Sequence, residues 1–163
     1  MAIGLPSGIY VAERSFDLAR LLSALPWLLL ATAVPSLSED VLTRGFWFRQ
    51  GPARGGAAFL ALSTLVYVLN HVWRLREGPA EWLMLASFGL AYGAALLRSG
   101  SLWAAFGLHW GWNLANALLD AGWGLSTLRP GAGRSLSIAA HLLLAALVLL
   151  LRKGPQPTGS NPS

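Results

Sequence analysis

Apolar runs separated by short polar or Gly/Pro-rich turns make up most of the chain. A helix needs about 20 consecutive, mainly apolar residues to cross a bilayer, and several runs approach or exceed that length. Gly89 and Gly93, four residues apart in one run, favour close contact with a neighbouring helix. The pattern predicts an all-α, polytopic transmembrane bundle of about five spans, which cover roughly Leu18–Phe48, Ala57–Arg76, Ala80–Leu97, Ser101–Leu119 and Leu136–Leu151.

The composition supports this class. Only 12% of the 163 residues are charged and 55% are hydrophobic, whereas a soluble domain carries about 25% charged residues. The basic residues are scattered at the ends of the runs, which indicates anchoring to a lipid bilayer rather than binding to nucleic acid. The absence of cysteine excludes disulfide and thiol chemistry. We expect one integral-membrane domain over residues 1–153, a disordered tail over 154–163, and a multi-pass location in a bacterial or archaeal inner membrane.

Two adjacent carboxylates, Glu39 and Asp40, follow the apolar part of the first run, and Arg44 comes about one helical turn later. A charged side chain at the bilayer centre costs roughly 2.5–3.5 kcal/mol, so such residues face a bundle interior or a wet cavity and suggest function. Asp40 and Arg44 have the spacing of an intrahelical ion pair. Glu39 lies about 100° from Asp40 and is left without a cation on its own helix. The alternative interpretation is a solvated helix end.

The fourth run carries polar residues on one face. At about 100° per residue, Asn113, Asn116 and Asp120 all lie within about 40° of His109 on the helix surface. Asn116 and Asp120 extend this stripe and could line water access. The alternative interpretation of His109 and Asn113 is hydrogen bonding between helices, without catalysis.

Three predicted helices thus each carry a group suited to activating water: Glu39, His71 and His109. A carboxylate can act as a general base and a histidine can orient the water or polarise a carbonyl. His71 shares a helix face with Tyr67, four residues earlier, and Asn113 is a neutral donor of the kind that stabilises an oxyanion. One glutamate and two histidines also form a possible metal set, and the spacing does not separate the two mechanisms.

The predicted heights of the two histidines set a condition on this site. In straight spans centred on one plane, His71 and His109 differ in height by about 12 Å, so a common site needs tilted helices or different helix boundaries. An interfacial position is the alternative interpretation of His71. His141 stands alone on the apolar fifth run and is expected to be structural.

These residues resemble the motifs of the CPBP or Abi family (CAAX protease and bacteriocin-processing), which includes the type II CAAX prenyl endopeptidases. The family motifs are Glu-Glu-x-x-x-Arg, Phe-x-x-x-His and His-x-x-x-Asn/Asp, on three membrane helices. The resemblance covers about Pro35–Asn116, and the motifs here read, in the family's order, Glu39-Asp40-x-x-x-Arg44, Tyr67-x-x-x-His71 and His109-x-x-x-Asn113.

The resemblance implies a role for each matching residue. Glu39 is the base that activates water, together with His71. His109 and Asn113 stabilise the oxyanion, and Arg44 is structural.

Two supporting positions depart from the family motifs. Asp40 replaces the second glutamate and Tyr67 replaces phenylalanine, and neither is among the residues with an implied catalytic role. The resemblance implies a glutamic-type intramembrane endopeptidase, acting without a metal or other cofactor. Its expected substrate is a peptide bond near the C-terminus of a membrane-anchored protein, either a prenylated CAAX-like or a C-terminal sorting-signal substrate.

Two other functions stay open on the sequence. One is a metal-dependent membrane hydrolase that uses Glu39, His71 and His109. The other is a non-catalytic membrane partner or immunity-type protein of the same family. A transporter is disfavoured, because the sequence has no inverted repeat.

Overall fold

Helices dominate the part of the chain that the computed structural model describes, residues 8–50 and 56–150. The α-helices are α1 (Leu18–Asp40), α2 (Phe46–Gln50), α3 (Gly56–Asn70), α4 (Pro79–Ser99), α5 (Leu102–Trp123) and α6 (Pro130–Leu150). A π-helical segment, Val41–Gly45, joins α1 to α2, and a 3₁₀ helix, Val72–Glu77, precedes α4. The strands β1 (Tyr10–Ala12) and β2 (Leu125–Thr127) pair antiparallel, with Val11 opposite Ser126.

The predicted all-α membrane class is confirmed, with this short β-ladder as an addition that the hydrophobic pattern does not announce. By length and composition, the helical segments able to cross a membrane among the described residues are Leu18–Gln50, Pro79–Ser99 and Pro130–Leu150. The helix Gly56–Asn70 is apolar but shorter. The predicted tail and the turn residues 51–55 lie outside the described residues.

The second predicted span is too long. The α-helix ends at Asn70 rather than near Arg76, and His71 occupies the junction with the 3₁₀ helix. The amide of His71 donates to the carbonyl of Val68, three residues back, at 3.0 Å. A three-residue hydrogen bond tightens the chain and ends the α-helical repeat, so His71 lies beyond the helix on which the sequence placed it.

Local signals fix the other helix ends. The Asp17 side chain accepts a hydrogen bond from the amide of Arg20 at 2.9 Å and caps α1. Pro79 occupies the first turn of α4, where its missing amide hydrogen is not needed. Gly100 and Gly124 end α4 and α5 in the left-handed conformation, with φ of 68° and 60°.

Helix α4 lies at the centre of the bundle and contacts α3, α5 and α6, while α1 packs along α5. The predicted close helix contact is found between α3 and α4. A Cβ atom on Gly89 would lie 3.1 Å from the Cα of Thr64, and one on Gly93 would lie 2.8 Å from the Oγ of Ser63. A larger residue at either position would require α3 to shift, so the two glycines allow α3 and its C-terminal end to lie close against α4.

The distribution of polarity is the reverse of that in a soluble protein. The largest fully buried side chain belongs to Arg44, and Asp40 and Glu81 are also buried. Large apolar side chains face outward, including Trp27 and Trp103, which are 71% and 70% exposed. In water such a surface would be unfavourable, whereas it suits contact with lipid acyl chains.

Candidate active site

Glu39 lies where α1, α5 and the end of α3 meet. Its Oε2 atom is 3.6 Å from Nε2 of His71 and 3.8 Å from Nε2 of His109. The Glu39 side chain keeps 26% of its surface exposed, whereas both histidines are buried. The structure therefore brings together the three groups that the sequence placed on separate helices. A single oxygen of the Glu39 carboxylate lies within 4 Å of both histidine rings.

The ring of His71 is fixed by its own backbone. Its Nδ1 atom lies 2.9 Å from the carbonyl oxygen of Tyr67, and a carbonyl only accepts hydrogen bonds. Nδ1 therefore carries a proton, and Nε2 is the ring nitrogen that faces Glu39; in the neutral form of the ring it has the lone pair. The rings of Tyr67 and His71 also pack together, with centroids 4.7 Å apart.

The ring of His109 is fixed by Asp40. Nδ1 of His109 lies 3.2 Å from Oδ1 of Asp40, and the same carboxylate forms an ion pair with Arg44. An ionised carboxylate is only an acceptor, so Nδ1 of His109 is the donor. Asp40 and Arg44 are fully buried and form the predicted intrahelical pair. The sequence did not predict the contact between Asp40 and His109.

Two aromatic rings surround the buried guanidinium of Arg44. Its Cζ atom lies 5.1 Å from the ring centroid of Tyr67 and 5.4 Å from that of Tyr92. An arginine near an aromatic face gains about 2 kcal/mol when the pair is desolvated. The position of Tyr67 therefore needs an aromatic ring, and the change from phenylalanine to tyrosine keeps it.

The π-helical segment contains Arg44 and directly follows Asp40. The amide of Phe46 donates to the carbonyl of Val41, five residues back, which widens the helical turn. Such segments are frequently found at functional sites. Thr43 and Arg44 are its buried members, so the wide turn is the one that holds the buried charge against α3 and α4.

Asn113 approaches the site from α5 and is held by α1. Its Nδ2 atom donates to the Oγ of Ser36 at 3.0 Å, and one turn earlier Nε1 of Trp110 donates to Oγ1 of Thr32, also at 3.0 Å. The amide of Asn113 has a second hydrogen that it can donate elsewhere. The sequence interpretation missed Ser36 and Thr32, although their four-residue spacing continues to Asp40 and marks a polar face of α1.

Tyr92 and His141 form a second layer behind His109. The Tyr92 ring stacks on the His109 ring, with centroids 4.8 Å apart and planes inclined by 22°. The Tyr92 hydroxyl lies 2.9 Å from Nε2 of His141, whose Nδ1 lies 2.8 Å from the Ser137 carbonyl. His141 therefore accepts from the hydroxyl and donates to the carbonyl. The sequence interpretation identified His141 as structural but gave it no partner.

Asn116 and Asp120 do not join the cluster around Glu39. The side-chain amide of Asn116 donates to the carbonyl of Trp112 at 2.7 Å, and Asp120 is exposed near the end of α5. Within residues 8–50 and 56–150, no group of three or more His, Cys, Asp or Glu side chains has an arrangement that could hold a metal ion.

The site is rich in acceptors that face one another. The carboxylate of Glu39 and the two Nε2 lone pairs converge, and their separations of 3.6 and 3.8 Å exceed a direct hydrogen bond. A water molecule donates two hydrogens and can therefore satisfy two of these three acceptors at one time. The outward-facing apolar side chains and the buried acid–base groups together define a membrane-embedded helical protein with a site suited to hydrolysis.

Comparison with known families agrees with this class. The family model "Type II CAAX prenyl endopeptidase Rce1-like" matches residues 21–115, more than half of the chain. The chain therefore belongs to the Rce1-like family of type II CAAX prenyl endopeptidases, a family of intramembrane proteases. The matched region contains all three motifs and ends before Asn116 and His141. Comparisons with curated proteins and with solved structures gave no match.

Proposed function

We propose that the protein is an active endopeptidase that cuts a peptide bond near the C-terminus of a membrane-anchored protein, with Glu39 as the base that activates water. The observation that carries this proposal is the position of one Glu39 oxygen, 3.6 and 3.8 Å from the Nε2 atoms of His71 and His109. Family membership supports the class of reaction. The residue roles come from the geometry and from the motif resemblance.

The reaction begins with a water molecule bound by Glu39 and by Nε2 of His71. Glu39 takes one proton from the water as its oxygen attacks the scissile carbonyl carbon. The C–N bond then breaks, and Glu39 returns the proton to the leaving nitrogen. One water is consumed, and the products are a carboxylate and an amine.

His109 and Asn113 stabilise the oxyanion that forms during the attack. Asn113 contributes the amide hydrogen that does not bond to Ser36. His109 keeps its Nδ1 hydrogen on Asp40, so its Nε2 atom carries a lone pair in the resting site. It donates to the oxyanion only after Nε2 has taken up a proton from solvent, and the carboxylate of Asp40 then stabilises the positive charge of the ring.

The decisive experiment measures cleavage by wild-type protein and the Glu39→Gln variant in proteoliposomes. The amide is isosteric but cannot take the proton, and we expect the rate to fall by about 10²- to 10⁴-fold. Glu13→Gln, at an exposed glutamate, is the matched control and should cleave at the wild-type rate. Circular dichroism and gel filtration establish that both variants are folded. Full activity of Glu39→Gln would refute the mechanism.

The substrate class is resolved with three peptides in the same assay. These are a prenylated CAAX peptide, the same peptide without its prenyl group, and a C-terminal membrane-anchor peptide. Cleavage of the first alone assigns a prenyl-dependent substrate, and cleavage of the third alone assigns a sorting-signal substrate. If folded wild-type protein cuts none of them, the non-catalytic partner becomes the better interpretation.

The metal-free part of the proposal has its own measurement. We expect dialysis against a strong chelator to leave the wild-type rate unchanged. A loss of activity that added Zn²⁺ restores would instead favour the metal hydrolase, in which Glu39, His71 and His109 act as ligands.

A further inference from the structure

Hydrolysis at Glu39 would consume one water for every peptide bond cut, and this inference rests on that proposed function. The Glu39 side chain keeps 26% of its surface exposed, but its Oε2 atom, which faces both histidines, is buried. His109 is 3% exposed and Asp40 is fully buried. The outer surface of the bundle is apolar, with residues such as Trp27 and Leu30 facing outward. Water therefore needs a polar route through or along the bundle to reach the carboxylate.

Helix α5 carries polar residues in one direction only from His109. Toward the C-terminal end, Asn113, Asn116 and Asp120 lie within about 40° of His109 around the helix, and the stripe is about 16 Å long. Toward the N-terminal end, the residues 102–108 are all apolar or glycine. The polar stripe therefore leads from the site to the end of α5 that lies beside the β-ladder.

Exposure rises steadily along this stripe. His109 is buried, Asn113 and Asn116 are half-buried, and Asp120 is exposed. Asn116 uses its amide nitrogen in a hydrogen bond to the carbonyl of Trp112, which leaves its amide oxygen as an acceptor. This gradient is what a path from bulk water to a buried site requires.

A cavity opens at the exposed end of the stripe. It has a volume of about 230 Å³, enough for several waters at about 30 Å³ each. A water molecule in a protein needs two to four polar partners, and the residues around this cavity supply an amide, a carboxylate and two hydroxyl groups. Its lining residues are Tyr10, Asn116, Asp120, Leu125 and Thr127.

Two of the other cavities are less suited to water, and a third, lined by Arg49 and Gln50, lies beside Leu102 at the opposite end of α5 from Asp120. The cavity between α5 and α6 is lined by Leu108, Ala115 and Leu144 among other mainly apolar residues, and His141, its only titratable lining residue, is engaged with Tyr92 and Ser137. The large cavity against α3 and α4 is also mainly apolar. These surfaces suit hydrocarbon rather than water.

We infer that Asn116 and Asp120, with the cavity beside the β-ladder, form the passage by which water reaches Glu39. The passage begins at Asp120, continues past Asn116 and Asn113, and ends at His109. Asn116 and Asp120 lie outside residues 21–115, which the family model matches.

The chain contains no cysteine. A single introduced cysteine is therefore the only thiol in the protein, and its rate of labelling reports whether water reaches that position. Asn116→Cys is compared with Ala115→Cys, its neighbour at the same depth, which is exposed beside the cavity between α5 and α6. The protein is held in nanodiscs, where both membrane faces are open to a charged, water-soluble thiosulfonate. Only the thiolate reacts, and it forms only where water reaches the sulfur.

We expect Asn116→Cys to react at least about tenfold faster than Ala115→Cys, because hydration favours the thiolate. Asp120→Cys, at the exposed end, should react faster still. If Asn116→Cys does not fold, Asp120→Cys replaces it in the comparison with Ala115→Cys. Equal rates at positions 115 and 116, or slow reaction at 120, would overturn the passage.

A second measurement links the passage to turnover. Attachment of the charged adduct to Asn116→Cys should slow cleavage by about tenfold or more, and removal of the adduct by a reductant should restore the rate. Labelled protein that cleaves at the unlabelled rate would contradict the inference.

The two proposals fail separately. The labelling rates are also measured in the Glu39→Gln background, where they do not depend on catalysis. Activity retained by Glu39→Gln removes the proposed base and leaves the labelling result intact. Slow labelling beside cleavage that depends on Glu39 removes the passage alone.

Discussion

Oδ1 of Asp40 lies 3.2 Å from Nδ1 of His109, and the same carboxylate is paired with Arg44. This contact connects the first and third motifs directly. It fixes the tautomer of His109 and turns its Nε2 atom toward Glu39. Asp40 therefore positions His109 in addition to forming its ion pair with Arg44. Its side chain is shorter than the glutamate of the family motif but still reaches both partners.

Asp40→Asn should reduce activity more than it disturbs binding. An asparagine can turn its amide group toward Nδ1 and favour the wrong tautomer of His109, and loss of such an orienting partner costs about 10- to 100-fold in activity. We expect kcat to fall by that factor with little change in KM, measured by steady-state cleavage in proteoliposomes.

The control for this prediction is Asp40→Glu, which keeps the negative charge and restores the family motif. It should retain activity within a few-fold. Asp40→Asn also leaves Arg44 buried without its partner, at a cost of about 3–5 kcal/mol, so thermal unfolding in detergent must accompany the kinetics. An unchanged kcat in folded Asp40→Asn would contradict the positioning role.

The contacts within each motif could be predicted from the sequence because each motif is local. Spacings of four residues placed Asp40 near Arg44 and Tyr67 near His71, and both contacts are present. The height difference of about 12 Å between the histidines assumed straight, centred spans. In the structure this difference does not prevent a common site. The helix α3 ends at Asn70, so His71 lies beyond it, and the Glu39 side chain reaches both histidine rings.

Contacts between distant positions could not be predicted in this way. Ser36 meets Asn113 across 77 positions, and Tyr92 meets His141 across 49. No local periodicity encodes such a pairing. The β-ladder likewise joins Val11 to Ser126, in strands of three residues each, which are too short to show an alternating pattern.

The Tyr92–His141 hydrogen bond should contribute to stability as a coupled pair. Tyr92→Phe keeps the ring on His109 but leaves Nε2 of His141 without a donor, and His141→Leu leaves the buried hydroxyl without an acceptor. Hydrogen bonds between membrane helices contribute about 0.6 kcal/mol on average and up to about 1.7. We expect a coupling energy in that range from a double-mutant cycle of thermal unfolding.

The cleavage rate of Tyr92 variants shows whether Tyr92 also positions His109 for catalysis or only stabilises the fold. Because Tyr92 also stacks on His109, Tyr92→Leu should lower kcat while Tyr92→Phe should not. If Tyr92→Leu and Tyr92→Phe cleave at the same rate, the stacked ring does not position His109.

Gly89→Leu should separate α3 from α4. Even a Cβ atom at Gly89 would lie 3.1 Å from the backbone of Thr64 and 3.2 Å from the Cβ of Tyr67. Overpacking of this kind costs about 1–3 kcal/mol, and here it also pushes Tyr67 away from Arg44. We expect a lower unfolding temperature and a loss of activity.

Gly107→Leu is the matched control, because a Cβ atom at Gly107 meets nothing within 4 Å among the described residues. It adds the same side chain to a membrane helix at an open position. The two variants should therefore differ clearly in thermal unfolding. Equal unfolding temperatures would show that the contact between α3 and α4 tolerates a large residue.

Glu81, on α4, links the segment that follows His71 to α6 through its contacts with Arg74 and Arg134. It is 1% exposed, forms an ion pair with Arg74, and accepts a hydrogen bond from Nε of Arg134 at 3.0 Å. The amide of Arg74 donates to the carbonyl of His71 at 2.8 Å. The charge on Glu81 therefore holds the backbone next to His71 against α4 and α6.

Glu81→Gln should destabilise the protein by about 1–3 kcal/mol, because the buried carboxylate loses its charge while its two arginine partners are partly exposed to solvent. Glu77→Gln is the matched control: Glu77 is 45% exposed, and its pair with Arg134 has a separation of 3.4 Å, so its loss should cost about 0–1 kcal/mol. Thermal unfolding measures both values. At a temperature where Glu81→Gln is still folded, its kcat should also fall, since His71 is no longer held beside Glu39. A kcat equal to that of Glu77→Gln would show that His71 is positioned without this cluster.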